Sequence, residues 1–307
     1  MRLLLLVLSL CALALPVAGQ SVLEPRPAWP DTSAILLRDA PLGPDSLQWH
    51  VPETVPEVSR WRIATVGLAS GAAGLAVLET QRRRWWEDRS PRFRILNDWE
   101  YVRWADKAGH VYSSSFFTRF YHATFRWAGV PEHQAPLWAG AAAWTQMFYY
   151  EVLDGFGPQW GFSPGDLAAN TVGVGLTTAQ AYVPALNAFT VKASYWPSGW
   201  EGKNLTDDYA GQTFWLTANP HLLAPEGAFK EALPEWLNLT VGYAARDLDE
   251  QEFLTTSVVY LGLDIEPTIL PFEGKAWETI SGWLRFVHFP APAIRLTPRP
   301  ALVLFAY

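Results

Sequence analysis

The sequence has one cysteine, Cys11, in 307 residues. If an N-terminal leader is removed, the mature chain has none. That excludes disulfides, zinc–thiolate sites and a cysteine nucleophile together. Basic residues are also scarce. Lys and Arg number 23 against 30 Asp and Glu, and loss of Arg2 with the leader gives a net charge of −8. This balance argues against a nucleic-acid partner, which needs a basic face to neutralise phosphates. No His-x-x-x-His or Glu-x-x-His ligand pair is present, and no phosphate-cradling glycine loop. We therefore expect no metal and no cofactor.

What is present begins with the leader. Arg2 precedes an apolar run from Leu3 to Leu8 that continues through Cys11 to Leu15. Pro16 breaks it, and Val17-Ala18-Gly19 supplies small residues. Charge, apolar core and small-residue exit predict a secretory leader, residues 1–19, with an uncleaved anchor as the alternative. A lipoprotein cut at Cys11 is disfavoured, because Leu10 stands where a small residue is wanted. Residues 20–59 carry seven prolines from Pro25 to Pro56 and read as an extended tether. Seventeen tryptophans suit a bilayer interface or an unusually Trp-rich soluble core.

Trp61 to Glu79 is mostly apolar, with charge only at Arg62 near its start and at Glu79 at its end. As a helix it would rise about 28 Å, close to a hydrocarbon core. Gly67, Gly71 and Gly74 could line a close-packing face, and Arg82-Arg83-Arg84 would lie on the cytoplasmic side. The alternative is a Gly/Ala-rich helix buried in a bundle. Asn97 with Glu100 predicts a capping box opening a helix that runs to about Trp127. In its second half Arg119, His122 and Arg126 share one face, opposite Phe116 and Phe120. Leu137 to Leu153 predicts another helix, ending at Asp154-Gly155 with glycine in the left-handed capping conformation. Ser163-Pro164-Gly165-Asp166 opens a further helix towards Tyr182, with Ser163 as its cap.

Beyond residue 188 the texture changes. Phe189 to Tyr195, Trp236 to Tyr243, Thr256 to Ile265 and Ala301 to Tyr307 read as strands by their β-branched and aromatic content. Trp277 to Val287 has helical spacing. The expected fold is α+β: a small, membrane-associated helical bundle over residues 60–187, then a β-rich region over 188–307.

Charged groups in apolar helices need partners or a task. Asp106 and His110 lie one turn apart with Lys107 beside them, Glu151 and Asp154 are three apart, and Asp166 and Asn170 are four apart. Each spacing puts both members on one helix face. Convergence of these faces would form a single candidate site of seven residues. Bland roles compete with it. Asp166 also suits the positive end of its helix, and Lys107 could simply pair with Glu151 or Asp154. His110 alone would be a hydrogen-bonded core histidine. For acid/base hydrolysis His110 would use Asp106 as its orienter, but no nucleophile elbow surrounds the nearby Ser113 or Ser114.

Three ordered motifs resemble a known family. They are Asp106-Lys107-Ala108-Gly109-His110, then Glu151 to Gly155, then Gly161 to Asn170. They look like the successive motifs of the YfiM-like family, domain of unknown function 2279, over about residues 90 to 185. Similarity to the VanZ-like membrane proteins is weaker. The first resemblance implies a Gram-negative envelope location, periplasmic or membrane-bound, and supplies no activity. The leading expectation is a non-enzymatic envelope protein in either membrane, partnered by membrane lipid or other envelope proteins. Its polar cluster would serve packing or ligand binding. The alternative is an intramembrane hydrolase or transferase acting on a lipid-linked substrate, with His110 and a carboxylate as acid/base groups. An outer-membrane β-barrel is a third class, for which four visible strands fall short of the roughly eight needed.

Overall fold

The computed structural model describes residues 58–68, 79, 92–157, 160–199, 206, 208–247 and 255–307. The expected leader, nearly all of the tether and the arginine triplet lie outside these residues. Of the expected membrane helix, residues 60–68 are helical (α1) and residues 69–78 lie outside the described residues. Among the described residues no helix is long and apolar enough to cross a membrane. The start of α1 docks on the helix that follows. Ser59 N–H donates to the Ala128 carbonyl at 3.0 Å, Arg62 donates to the Trp127 carbonyl at 3.0 Å, and Trp61 meets Trp127 edge-on at 5.8 Å.

Three helices form the centre: α2 (Ala105–Trp127), α3 (Ala135–Asp154) and α4 (Pro164–Ala179). The expected capping box at Asn97 and Glu100 does not form, and α2 starts seven residues after Asp98. Between them lies a tight turn, Tyr101–Trp104, in which Val102, Arg103 and Trp104 take φ of 47°, 51° and 74°. Left-handed backbone costs a non-glycine residue roughly 1–2 kcal/mol, so packing must hold the turn. Val102 is buried against Ala105 and Ala245, and Tyr243 Oη donates to the Arg103 carbonyl. The reversal carries Asp98 back over the start of α2, where Lys107 and Ser163 engage it.

Gly155 also departs from expectation. It is right-handed, with φ −54°. A Cβ there would lie 2.1 Å from Phe93, so close packing, not a left-handed cap, requires glycine. The start of α4 is as the sequence implies: Ser163 Oγ accepts from Asp166 N–H at 3.0 Å, with Pro164 in the first turn. The helix stops at Ala179, short of Tyr182, where Gln180 takes over as C-cap and donates to the Leu186 and Phe189 carbonyls.

The C-terminal region is a six-stranded antiparallel meander in the order β1-β2-β3-β4-β5-β6. Its strands are β1 (Phe189–Tyr195), β2 (Gln212–Ala218), β3 (Leu237–Arg246), β4 (Thr256–Ile265), β5 (Ala291–Arg295) and β6 (Ala301–Ala306). Helix α5 (Lys275–Leu284) connects β4 to β5. After it, Val287 bridges Ala193 in parallel on the free edge of β1. In a flat sheet β2 and β6 would lie about 19 Å apart. Here Thr213 Oγ1 donates to the Tyr307 carbonyl at 2.7 Å, and Trp215 packs with Ala306. The sheet is therefore strongly curled. Helix α2 packs on its outer side at Phe214, where a Cβ on Gly109 would touch the ring at 3.2 Å.

Candidate functional site

The three polar helix faces meet. Lys107 Nζ, on the first turn of α2, lies 2.6 Å from Asp166 Oδ1, 2.8 Å from Asp106 Oδ2 and 3.1 Å from Asp98 Oδ1. Its partners are thus neither Glu151 nor Asp154. Gly165 leaves it room, since a Cβ there would sit 3.0 Å from Lys107 Cε.

His110 occupies the middle. Its Nδ1 lies 3.1 Å from Asn170 Oδ1 and 3.6 Å from Glu151 Oε1. Its Nε2 faces Asp166 Oδ1 at 3.6 Å and Asp106 Oδ1 at 3.8 Å. Asn170 Nδ2 completes the ring by donating to Glu151 Oε1 at 3.4 Å. Asp154 stands outside this ring, half-buried one turn from Glu151, and acts on it through its charge.

Three groups absent from the expected seven, Asp98, Ser163 and Tyr209, close the cluster. Ser163 Oγ donates to Asp98 Oδ1, and Tyr209 Oη donates to Asp106 Oδ1 at 2.6 Å. Tyr209 precedes β2, so it ties the sheet to the helices. Gly161-Phe162-Ser163-Pro164-Gly165 fits the letters Gly-x-Ser-x-Gly, but Ser163 is fully buried and its hydroxyl is committed to the cap and to Asp98. It is not an exposed nucleophile.

Burial and charge pull the cluster's protons apart. For His110, burial disfavours the imidazolium, yet Asp106, Asp166 and Glu151 together hold its pKa at about 9. Burial pushes Glu151 up to about 8, against the pull of His110. Asp166 is pushed to about 7 for the same reason, with His110 opposing and Asp106 adding. Burial also works against the charge on Asp106, but His110 and Lys107 outweigh it and hold the carboxyl below its ordinary range. Lys107 is likewise desolvated, and Asp106 and Asp166 keep it firmly protonated.

Asp106, His110 and Asp166 could each turn one ligand atom towards a metal ion, all within 4.8 Å of one another. The donor set fits such an ion poorly. The Lys107 ammonium already lies between Asp106 and Asp166, and a divalent cation there would meet its charge at close range. A cavity of about 30 Å³ lined by Ser115, Arg119, Gln180 and Arg285 lies more than two turns along α2 from the start of the cluster.

No curated protein and no solved structure matches this chain. The expected family resemblance is met over the helical segment, and the family's description fits an envelope location. Residues 99–182, from just before the left-handed turn to just past the end of α4, match the model of a family described as predicted periplasmic lipoprotein (DUF2279).

Proposed function

We propose that this chain is a membrane-associated, non-enzymatic envelope protein whose charged cluster locks three helices to the sheet. The carrying observation is mutual satisfaction. Each buried charge faces an opposite one, each nitrogen of His110 faces two acceptors, and Tyr209 joins the sheet to the same network. Networks of this kind specify one packing, because leaving any member unpaired in a poorly solvated site is costly.

The test replaces Asp106 by Asn, His110 by Gln and Glu151 by Gln, singly. Thermal unfolding of the full chain is measured beside rescue of a deletion strain's envelope phenotype. A lock predicts that melting temperature and rescue fall together. A variant that melts normally but fails to rescue would turn the cluster into a ligand or reaction site.

One observation favours the enzymatic reading: His110 and Glu151 lie 3.6 Å apart. Their proton affinities count against it. With pKa values of about 9 and 8, both groups hold their protons at neutral pH, so neither is a ready base.

A further inference from the structure

We infer that the outward face of the curled sheet contacts the hydrocarbon of a lipid bilayer. This rests on the membrane-associated reading above and adds which surface meets the lipid. The first ground is an inverted pleat. In a water-soluble antiparallel sheet the covered face is apolar and the outer face polar. Here Lys192, Asp264 and Asn238 are wholly buried on the inward side. Lys192 Nζ lies 2.5 Å from Asp264 Oδ2, and Asn238 Nδ2 donates to Glu266 at 2.9 Å. Every charged side chain in the six strands (Lys192, Arg246, Asp264 and Arg295) stands on that inward side of the pleat.

The outward side is the complement. Register places Val191, Leu216, Val241, Leu261, Ile294 and Leu302 in one row across all six strands. The last five are 48–71% exposed. Leu239 and Leu263 pair beside that row, and β6 adds Leu304 and Phe305 through a register shift against β5. A face this apolar and free of charge complements hydrocarbon, not water or a charged partner.

Curvature decides the occupant. Contact between Trp215 and Ala306 across the inside makes the outward face convex over six strands. A second copy or a globular partner could cover only part of a convex wall, whereas a bilayer surrounds it. The two longest strands, β3 and β4, have 10 residues each. That is the length a tilted strand needs to cross a bilayer, about 9–11 residues. Six described strands are fewer than the roughly eight of the smallest single-chain barrels. The inference is therefore a lipid-facing wall with α2 packed on part of its outer side, not a free-standing pore.

The test places the photo-reactive residue p-benzoylphenylalanine at Leu261, at Leu302 and, for reference, at the exposed Glu226, in the full chain in a Gram-negative envelope. Illumination should give lipid adducts at Leu261 and Leu302 and none at Glu226. Adducts with a second copy or another protein, or no lipid adduct at either leucine, would overturn the inference. Carbonate washing of the same membranes separates the two readings. A chain that stays with the membrane without lipid adducts sinks only the sheet's role. One that washes off sinks membrane association as well.

Discussion

Lys107 and Asp166 join the first turns of α2 and α4, with Nζ 2.6 Å from Oδ1. The same ammonium also serves Asp106 and Asp98, so one side chain holds three carboxylates. Lys107→Met should therefore strand buried negative charge and lower stability by about 3–5 kcal/mol. Adding Asp166→Asn should recover part of that loss. Chemical unfolding of both variants checks it, and a double variant no better than the single one would dissolve the pairing.

The cluster also predicts how stability depends on pH. His110 binds its proton with a pKa of about 9 in the folded chain, against an ordinary 6.5. Its contribution is complete below about pH 6.5 and is lost as pH rises through 9. Glu151, raised to about 8, and Asp166, raised to about 7, have the same sign, because the folded state holds more protons there. His122 and His288 are shifted the other way, to about 4, so their slopes lie below pH 6.5. The melting temperature should fall between pH 6.5 and 9, and His110→Gln should flatten the upper part of that fall. A native chain whose melting temperature rises over this interval would contradict the assignment.

The sequence exposed the cluster's helical members because helix periodicity puts residues three or four apart on one face. Asp106 with His110, Glu151, and Asp166 with Asn170 all follow that rule. Asp98 escaped because Asn97 to Glu100 reads as a helix start, and only tertiary packing stabilises the left-handed turn that diverts it. Tyr209 escaped because its partner lies 103 residues away. Two strands were legible to their ends, Phe189–Tyr195 and Thr256–Ile265, because β-branched and aromatic residues are concentrated in them. Strand β5 was hidden by Pro292, which sits at the bulge between Ala291 and Ala293, a place where a strand tolerates proline. Strand β2 is harder to read, because Phe214 and Trp215 sit together among small and polar residues and give only a short β signal.

Two glycines on α4 should respond in opposite ways. A Cβ on Gly173 would lie 2.1 Å from Ser114 Oγ and 2.3 Å from the Val111 carbonyl, so α2 and α4 touch there through backbone. Gly173→Ala must push the helices apart and should cost about 1–3 kcal/mol. Gly175 has open space around its Cβ position. Gly175→Ala should raise stability by roughly 0.5–1 kcal/mol through helix propensity alone. Unfolding midpoints of the pair check both signs.

Tyr209→Phe removes the hydroxyl that donates to Asp106 at 2.6 Å and leaves the ring in place against Tyr101. A hydrogen bond to a charged group contributes about 1.5–3 kcal/mol, so a loss of that size is expected. The loss should appear locally. Hydrogen exchange should speed up at the start of β2 and the first turn of α2, while β4 keeps its protection. Uniformly faster exchange would mean that Tyr209 does not mark the junction.

Charge placement on the sheet gives the sharpest contrast between a water-facing and a lipid-facing wall. Leu261 is 48% exposed on the outward side. In water, arginine there would change stability by no more than about 0.5 kcal/mol. Against hydrocarbon the same change should cost about 2–4 kcal/mol near the bilayer midplane. Lys192 gives the reverse case. It is wholly buried, and Lys192→Met would leave Asp264 and Glu266 short of a cation, with Arg285 still 3.1 Å from Glu266. That should cost about 3–5 kcal/mol in any solvent. Unfolding of both variants in lipid vesicles separates the possibilities. If Lys192→Met is damaging and Leu261→Arg is harmless, the inward network is structural and the outward face meets water.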